Sequence, residues 1–196
     1  CVLNGNSAAS SGGGAYSGTL NDCTIVGNWA TQRGGGAHNS ALNNCVLSNN
    51  SSRLSGGGGA SDSTLTNCSL RNNSADMGGG TYYGTLSNCI LASNSARVGG
   101  GASNGNLDSC ILTNNLAFSS GGGADSATLN NCTLTGNSAT NPASSVGGGA
   151  INSKLNNCVL TRNWAAYQGG GAFNGTLNNC TLVTNSAVYG GGVYGT

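Results

Sequence analysis

The fold class predicted by this sequence is an all-β solenoid. More closely, it is a right-handed parallel β-helix of about nine coils, each of about 22 residues in three short strands. Three observations carry the prediction. Cysteines recur at Cys1, Cys23, Cys45, Cys68, Cys89, Cys110, Cys132, Cys158 and Cys180, spaced 22, 22, 23, 21, 21, 22, 26 and 22 residues apart. The same neighbours stand around each cysteine in fixed phase. A triple glycine ends every unit, and only the segment before it varies in length, as insertions do in a stacked array.

Each unit reads Leu-x-x-Cys-x-(Leu or Ile)-x-x-Asn-x-Ala, a spacer, then Gly-Gly-Gly-Ala, with Ser52 the one departure from the first Ala. Taken in order, Leu20 and Cys23 are expected to point inward on either side of a tight bend. Ile25 shares the face of Cys23 because side chains alternate along a strand. The asparagine five after each cysteine (Asn6, Asn28, Asn50, Asn73, Asn94, Asn115, Asn137, Asn163, Asn185) is expected to close that strand in a left-handed turn. Stacked at ~4.8 Å, these side chains would bond to one another as a ladder. The spacer grows from two residues (76–77) to seven (140–146), and the longest copy holds the only proline, Pro142, where it breaks no ladder. The glycines let a third strand approach a thin core or supply positive φ at a corner. The same triplets exclude helical repeats, at about 1 kcal/mol per glycine. The hand follows from the preference for right-handed crossovers.

The core is then columns of Leu, Cys, Leu and Ala, each buried Leu contributing roughly 1.5–3 kcal/mol. Most of the stability is expected to lie in stacking rather than in any one coil. A rod of nine coils would be roughly 40 Å long. Residues 1–196 form one repeat domain, expected to be part of a longer array, because neither end carries a polar capping repeat. End-to-end or side-by-side self-association follows from the same feature.

Only 6% of residues are charged and the net charge is +1, so the surface must be Asn, Ser, Thr and Gly. That argues against nucleic acid and anionic membranes, which need clustered Lys and Arg. No apolar run approaches a membrane span, so direct insertion is not expected. In-register cysteines on adjacent coils have Cβ atoms about 4.8 Å apart, wider than a disulfide favours, so the nine read foremost as a column of thiols acting as small hydrophobes. Some pairing between neighbours stays open. A straight file of single ligands does not make a tetrahedral metal site. No cofactor or metal is expected.

The pairing of Gly121-Gly122-Gly123-Ala124 with Leu134-Thr135-Gly136-Asn137 resembles the repeats of polymorphic outer-membrane proteins, with their G-G-A-[ILV] and F-x-x-N motifs. Here Leu stands for Phe, the position after Ala varies, and Thr81 and Val193 replace the Ala. The resemblance implies a β-helical passenger of an autotransporter-like or cell-surface bacterial protein, with adhesion as the usual role.

No catalytic residues are expected. Polysaccharide-cleaving β-helices need carboxylates close together, whereas Asp62 and Asp125 lie near the same phase about three coils apart and Asp22, Asp76 and Asp108 are scattered. His38 reads as a surface residue after its glycine corner. Ice binding is the runner-up, since it needs a flat face poor in charge and rich in Thr and Asn. The positions flanking the core aliphatic offer one Thr-x-Thr, at Thr133 and Thr135, and Arg71 interrupts them. Those positions also read as a semi-apolar stripe for another copy or domain. Tyr16, Tyr82, Phe173 and Tyr194 share one outward phase, with Tyr83 beside them, as an interaction strip for carbohydrate or self-association. Trp29 and Trp164 are expected to cover a corner. The reading is thus a non-enzymatic structural or adhesive segment, extracellular or at the cell surface, whose partners are a host or matrix carbohydrate or protein.

Overall fold

The computed structural model describes residues 1–195, and all their strands lie in parallel sheets stacked as a solenoid. Each coil turns through four sheets rather than the three expected, of nine, eight, nine and eight strands. One coil shows the pattern. Thr19–Asn21 enters a sheet we call the Leu sheet, and Thr24–Val26 enters the Cys sheet. Trp29–Ala30 enters the Ala sheet and Ala37–His38 the Gly sheet. Neighbours pair coil to coil, as in Thr24↔Val46 and Leu20↔Leu42. The register shifts at one place, where Val98 pairs Ser120 after Ala96 pairs Ala117.

Four corners make four sheets, and each corner is a residue in the left-handed region. In the coil above they are Ser17 (φ 52°), Asp22 (φ 53°), Gly27 (φ 63°) and Gly34 (φ 61°). The corner missed from sequence is the one at Ser17, which separates the Gly sheet from the Leu sheet. Its equivalents are Asn39, Asp62, Tyr83 and Asn104, a mixed set with no common turn signal. A second correction concerns the ladder asparagines. The left-handed residue is the one before each of them (Gly27, Asn49, Asn72), which frees the asparagine side chain to point inward.

The glycine triplet has three separate tasks, seen at Gly34, Gly35 and Gly36. Gly34 takes the positive φ of the corner. A Cβ on Gly35 would collide with the Ser51 backbone of the next coil. A Cβ on Gly36 would lie 2.5 Å from the Gly59 carbonyl oxygen and 3.1 Å from Asn50 Cγ. The bare backbone is therefore what lets the Gly sheet lie against the asparagine column.

The core is the column of Leu, Cys, Leu or Ile, and the Ala after most of the glycine triplets, such as Leu42, Cys45, Leu47 and Ala60. Inside it the asparagines from Asn28 to Asn163 are buried. Asn50 is typical. Its Nδ2 donates to the Ile25 carbonyl at 2.9 Å and to Asn73 Oδ1 at 3.0 Å. Its Oδ1 accepts from Asn28 N at 2.9 Å and Asn28 Nδ2 at 3.0 Å. Both donors and both lone pairs are used, so burial leaves nothing unpaired.

All nine cysteines are free, and seven of them, Cys23 to Cys158, are buried. To backbone oxygens, each buried sulfur makes longer bonds than its asparagine counterpart. Cys68 Sγ lies 3.2 Å from the Thr66 carbonyl oxygen and 3.5 Å from that of Leu42, and it accepts from Cys45 N at 3.4 Å. Burial raises the Cys45 thiol above its ordinary pKa, which keeps it protonated and uncharged.

Candidate interaction surface

With every core position taken by the repeat, chemistry is left to the outward side chains of the four sheets. The Gly sheet carries the most varied column. Its register aligns Tyr16 with His38, then Ser61, Tyr82, Ser103, Asp125, Ile151, Phe173 and Tyr194. The expected phase is therefore present, but the strip is not continuous. Tyr16 is 63% exposed and Tyr83 50%, whereas Tyr82 is only 7% exposed and belongs to the packing. The rings fall into separate contacts: Tyr16 on His38 at 5.3 Å between centroids, Tyr82 on Tyr83 at 4.5 Å, and Phe173 stacked on Tyr194 at 5.6 Å.

Between the first two contacts the fold gathers groups that the sequence keeps apart. Arg33, from a spacer, lays its guanidinium over the Tyr82 ring at 5.6 Å. Its Nη1 is 3.5 Å from Asp62 Oδ2, and His38 Nδ1 is also 3.5 Å from that oxygen. Ser61 Oγ donates to the same oxygen at 2.7 Å. His38 is half-buried rather than a plain surface residue, and its Nδ1, though 3.5 Å from Asp62 Oδ2, makes no hydrogen bond. Two coils on from Asp62's neighbour Tyr82, Asp125 is held by Ser103 Oγ at 3.2 Å and Ser126 Oγ at 3.3 Å. Burial raises its carboxyl pKa, and these two hydroxyls oppose the rise.

The other faces are plainer. The Cys sheet presents Val46, Ile111 and Val159 among Thr and Ser, with Arg71 in the second rank, a half-apolar stripe. The Leu sheet presents one column of Thr19, Ala41, Thr64, Thr85, Asn106, Thr128, Lys154 and Thr176. Beside it run asparagines that bond coil to coil, such as Asn43 Nδ2 to Asn21 Oδ1 at 3.0 Å and Asn178 Nδ2 to Asn156 Oδ1 at 2.8 Å. Trp29 and Trp164 stand on the Ala sheet in register with Ser51 and Ser138, outward on the flat rather than over a corner. A shallow concavity of about 330 Å³ lies by Asn152, Lys154, Asn174 and Gly195. Among the described residues no three His, Cys, Asp or Glu side chains are grouped to hold a metal ion.

No family model matches the chain, and no curated protein matches it. Among solved structures it is similar to the tailspike protein gp49 from Pseudomonas phage LKA1, at 17% identity and a TM-score of 0.39, over 94% of this chain and 32% of that one. It is also similar to pectate lyase Pel9A, at 10% identity and a TM-score of 0.39, over 92% of this chain and 59% of that one. A third is QnrB1, a plasmid-mediated fluoroquinolone resistance protein, at 14% identity and a TM-score of 0.30, over 94% of this chain and 91% of that one. The chain thus spans about a third of the tailspike and under two thirds of the lyase.

Proposed function

We propose that this chain is a non-enzymatic structural and adhesive segment of an extracellular bacterial surface protein or filament, with repeats of the polymorphic outer-membrane type. The observation that carries this reading is the coil-to-coil register of all four sheets, which shifts only once, between Ala96 and Val98. It devotes the interior to stacking and leaves each face as a rank of short side chains at a constant spacing. Such a rod separates what lies at its two ends and offers one surface many times over. The carboxylates at and beside the Gly sheet support a binding role over hydrolysis. Asp62 and Asp125 are three coils or ~14 Å apart, against the roughly 5–9.5 Å that paired glycosidase carboxylates need. The half-apolar Cys-sheet stripe suits side-by-side packing on another copy or domain. Beads coated with the purified chain should adhere to bacterial or host matrix and leave a panel of acidic and neutral polysaccharides uncleaved. Turnover of any member of that panel would overturn the reading.

The Leu-sheet column favours ice binding as a second reading, for five of its eight residues are threonines in register along one sheet. This face carries the hydroxyls better than the positions beside the core aliphatic do. Inhibition of ice recrystallisation that Thr85→Arg abolishes would select it, and its absence from the unaltered chain removes it.

A further inference from the structure

We infer that the Gly-sheet cluster around Arg33, His38 and Asp62 is a binding site for a neutral polysaccharide strand lying along the rod, with Tyr16 and Tyr83 as its stacking ends. This rests on the adhesive reading and gives it a ligand class. The two exposed rings stand on the first and fourth coils, so three coil steps of ~4.8 Å separate them. Each step is about the length of one pyranose ring, so successive sugars would meet successive coils. An exposed tyrosine face suits the C–H face of a sugar, because it offers rigid apolar area at small entropic cost.

The polar groups between the rings argue for a neutral ligand. Arg33 supplies guanidinium donors and Asp62 a carboxylate acceptor, and at 3.5 Å they cancel each other's charge. A polyanion would meet Asp62 and a polycation would meet Arg33, whereas rows of hydroxyls can donate to one and accept from the other. Asp62 Oδ2 accepts from Arg33 and Ser61 and faces His38, while its other oxygen has no hydrogen-bond partner among the described residues. The site is also held in place beforehand. Arg33 lies over a buried ring, and Ser61 fixes the carboxylate, so little side-chain freedom remains to be lost on binding.

An extended peptide fits less well. Peptides that add to sheets need unpaired backbone groups. Here those groups are bonded from coil to coil, as in Ala37 N to Gly59 O at 2.9 Å, Asn39 N to Ser61 O at 3.0 Å and Asp62 N to Tyr82 O at 2.9 Å.

The test is calorimetric titration of the full chain with cellohexaose, maltohexaose, xylohexaose, dextran and polygalacturonate. At least one neutral glycan should bind, and polygalacturonate should bind at least tenfold more weakly. Tyr83→Asn, which removes the ring but suits the left-handed backbone at φ 52°, should weaken binding at least tenfold, and so should Asp62→Asn. Tyr194→Ala, on the same column at the far end, should leave it unchanged, and unchanged thermal melts would show that all three variants fold. Binding to none of the neutral glycans, preference for polygalacturonate, an equal loss in Tyr194→Ala, or competition by an arbitrary extended peptide would overturn the assignment. Matrix adhesion that persists without glycan binding would sink this site while sparing the adhesive reading. Cleavage of a titrated glycan would sink both.

Discussion

Two columns run the length of the interior, one of asparagines and one of cysteines, each with one member per coil, and they do different work. The asparagine column is a polar structure in which every donor and acceptor of a buried amide finds a partner at 2.8–3.0 Å. The cysteine column fills space, and its contacts to backbone oxygens run at 3.1–3.6 Å. A repeated residue is therefore not strong because it is repeated. It is strong where repetition lets each copy satisfy the next, since a buried amide left half-paired costs more than a thiol with no partner.

Deleting one rung from each column tests that contrast most directly. Asn137→Ala would strip partners from the Leu112 carbonyl, Asn115 N and Asn115 Nδ2. With each buried orphan worth ~1–3 kcal/mol, the loss should be about 4 kcal/mol by denaturant unfolding. Cys132→Ala removes one sulfur and leaves a small void, for about 1–2 kcal/mol. If the two losses were equal, the contrast between the columns would fail. A smaller effect of opposite sign is expected where a polar atom entered the interior unpartnered. Ser52 and Thr81 are buried, and their hydroxyl oxygens make no hydrogen bond. Ser52→Ala and Thr81→Ala should each stabilise the chain by about 1 kcal/mol, read in the same unfolding experiment. Smallest is the half-buried carboxylate. Burial raises the folded pKa of Asp125 above its ordinary 3.8, so the folded state binds the proton more tightly. Its contribution is then most favourable below 3.8 and is lost as pH rises through the raised value. Asp125→Asn should flatten the fall in melting temperature across that window.

Much of this was legible from the residues, and the two hydroxyls show how. Ser52 and Thr81 are two of the three places where a unit departs from Ala at one of its two alanine positions, Val193 being the third, and phase alone marks both as inward. The ladder and the thiol file were equally visible, because a residue invariant in phase must occupy one environment. The fourth sheet was not visible. Its corner is set by backbone conformation at positions as unlike as Ser17, Asp62 and Tyr83, and none of them announces a shared turn. The Arg33 cluster was hidden for a related reason. Arg33 sits in the variable spacer, and its approach to Asp62, 29 residues on, depends on the path of that spacer over the next coil. Phase predicts columns, but it does not say which way a loop folds back. Within the aromatic strip, Tyr82 alone departs from its expected exposure, since it has the right phase yet is covered by its neighbours.

The spacers have one more consequence. All of them leave between the Ala sheet and the Gly sheet, so every change in length is absorbed along a single edge of the rod. The seven residues at 140–146, with an Asn141 turn closed by Ala143 N at 3.0 Å, sit there without disturbing the pairing of the coils on either side. That edge is a comb whose teeth can be lengthened or exchanged one at a time, and a foreign peptide grafted onto any tooth would be displayed at a known height on an otherwise unaltered scaffold.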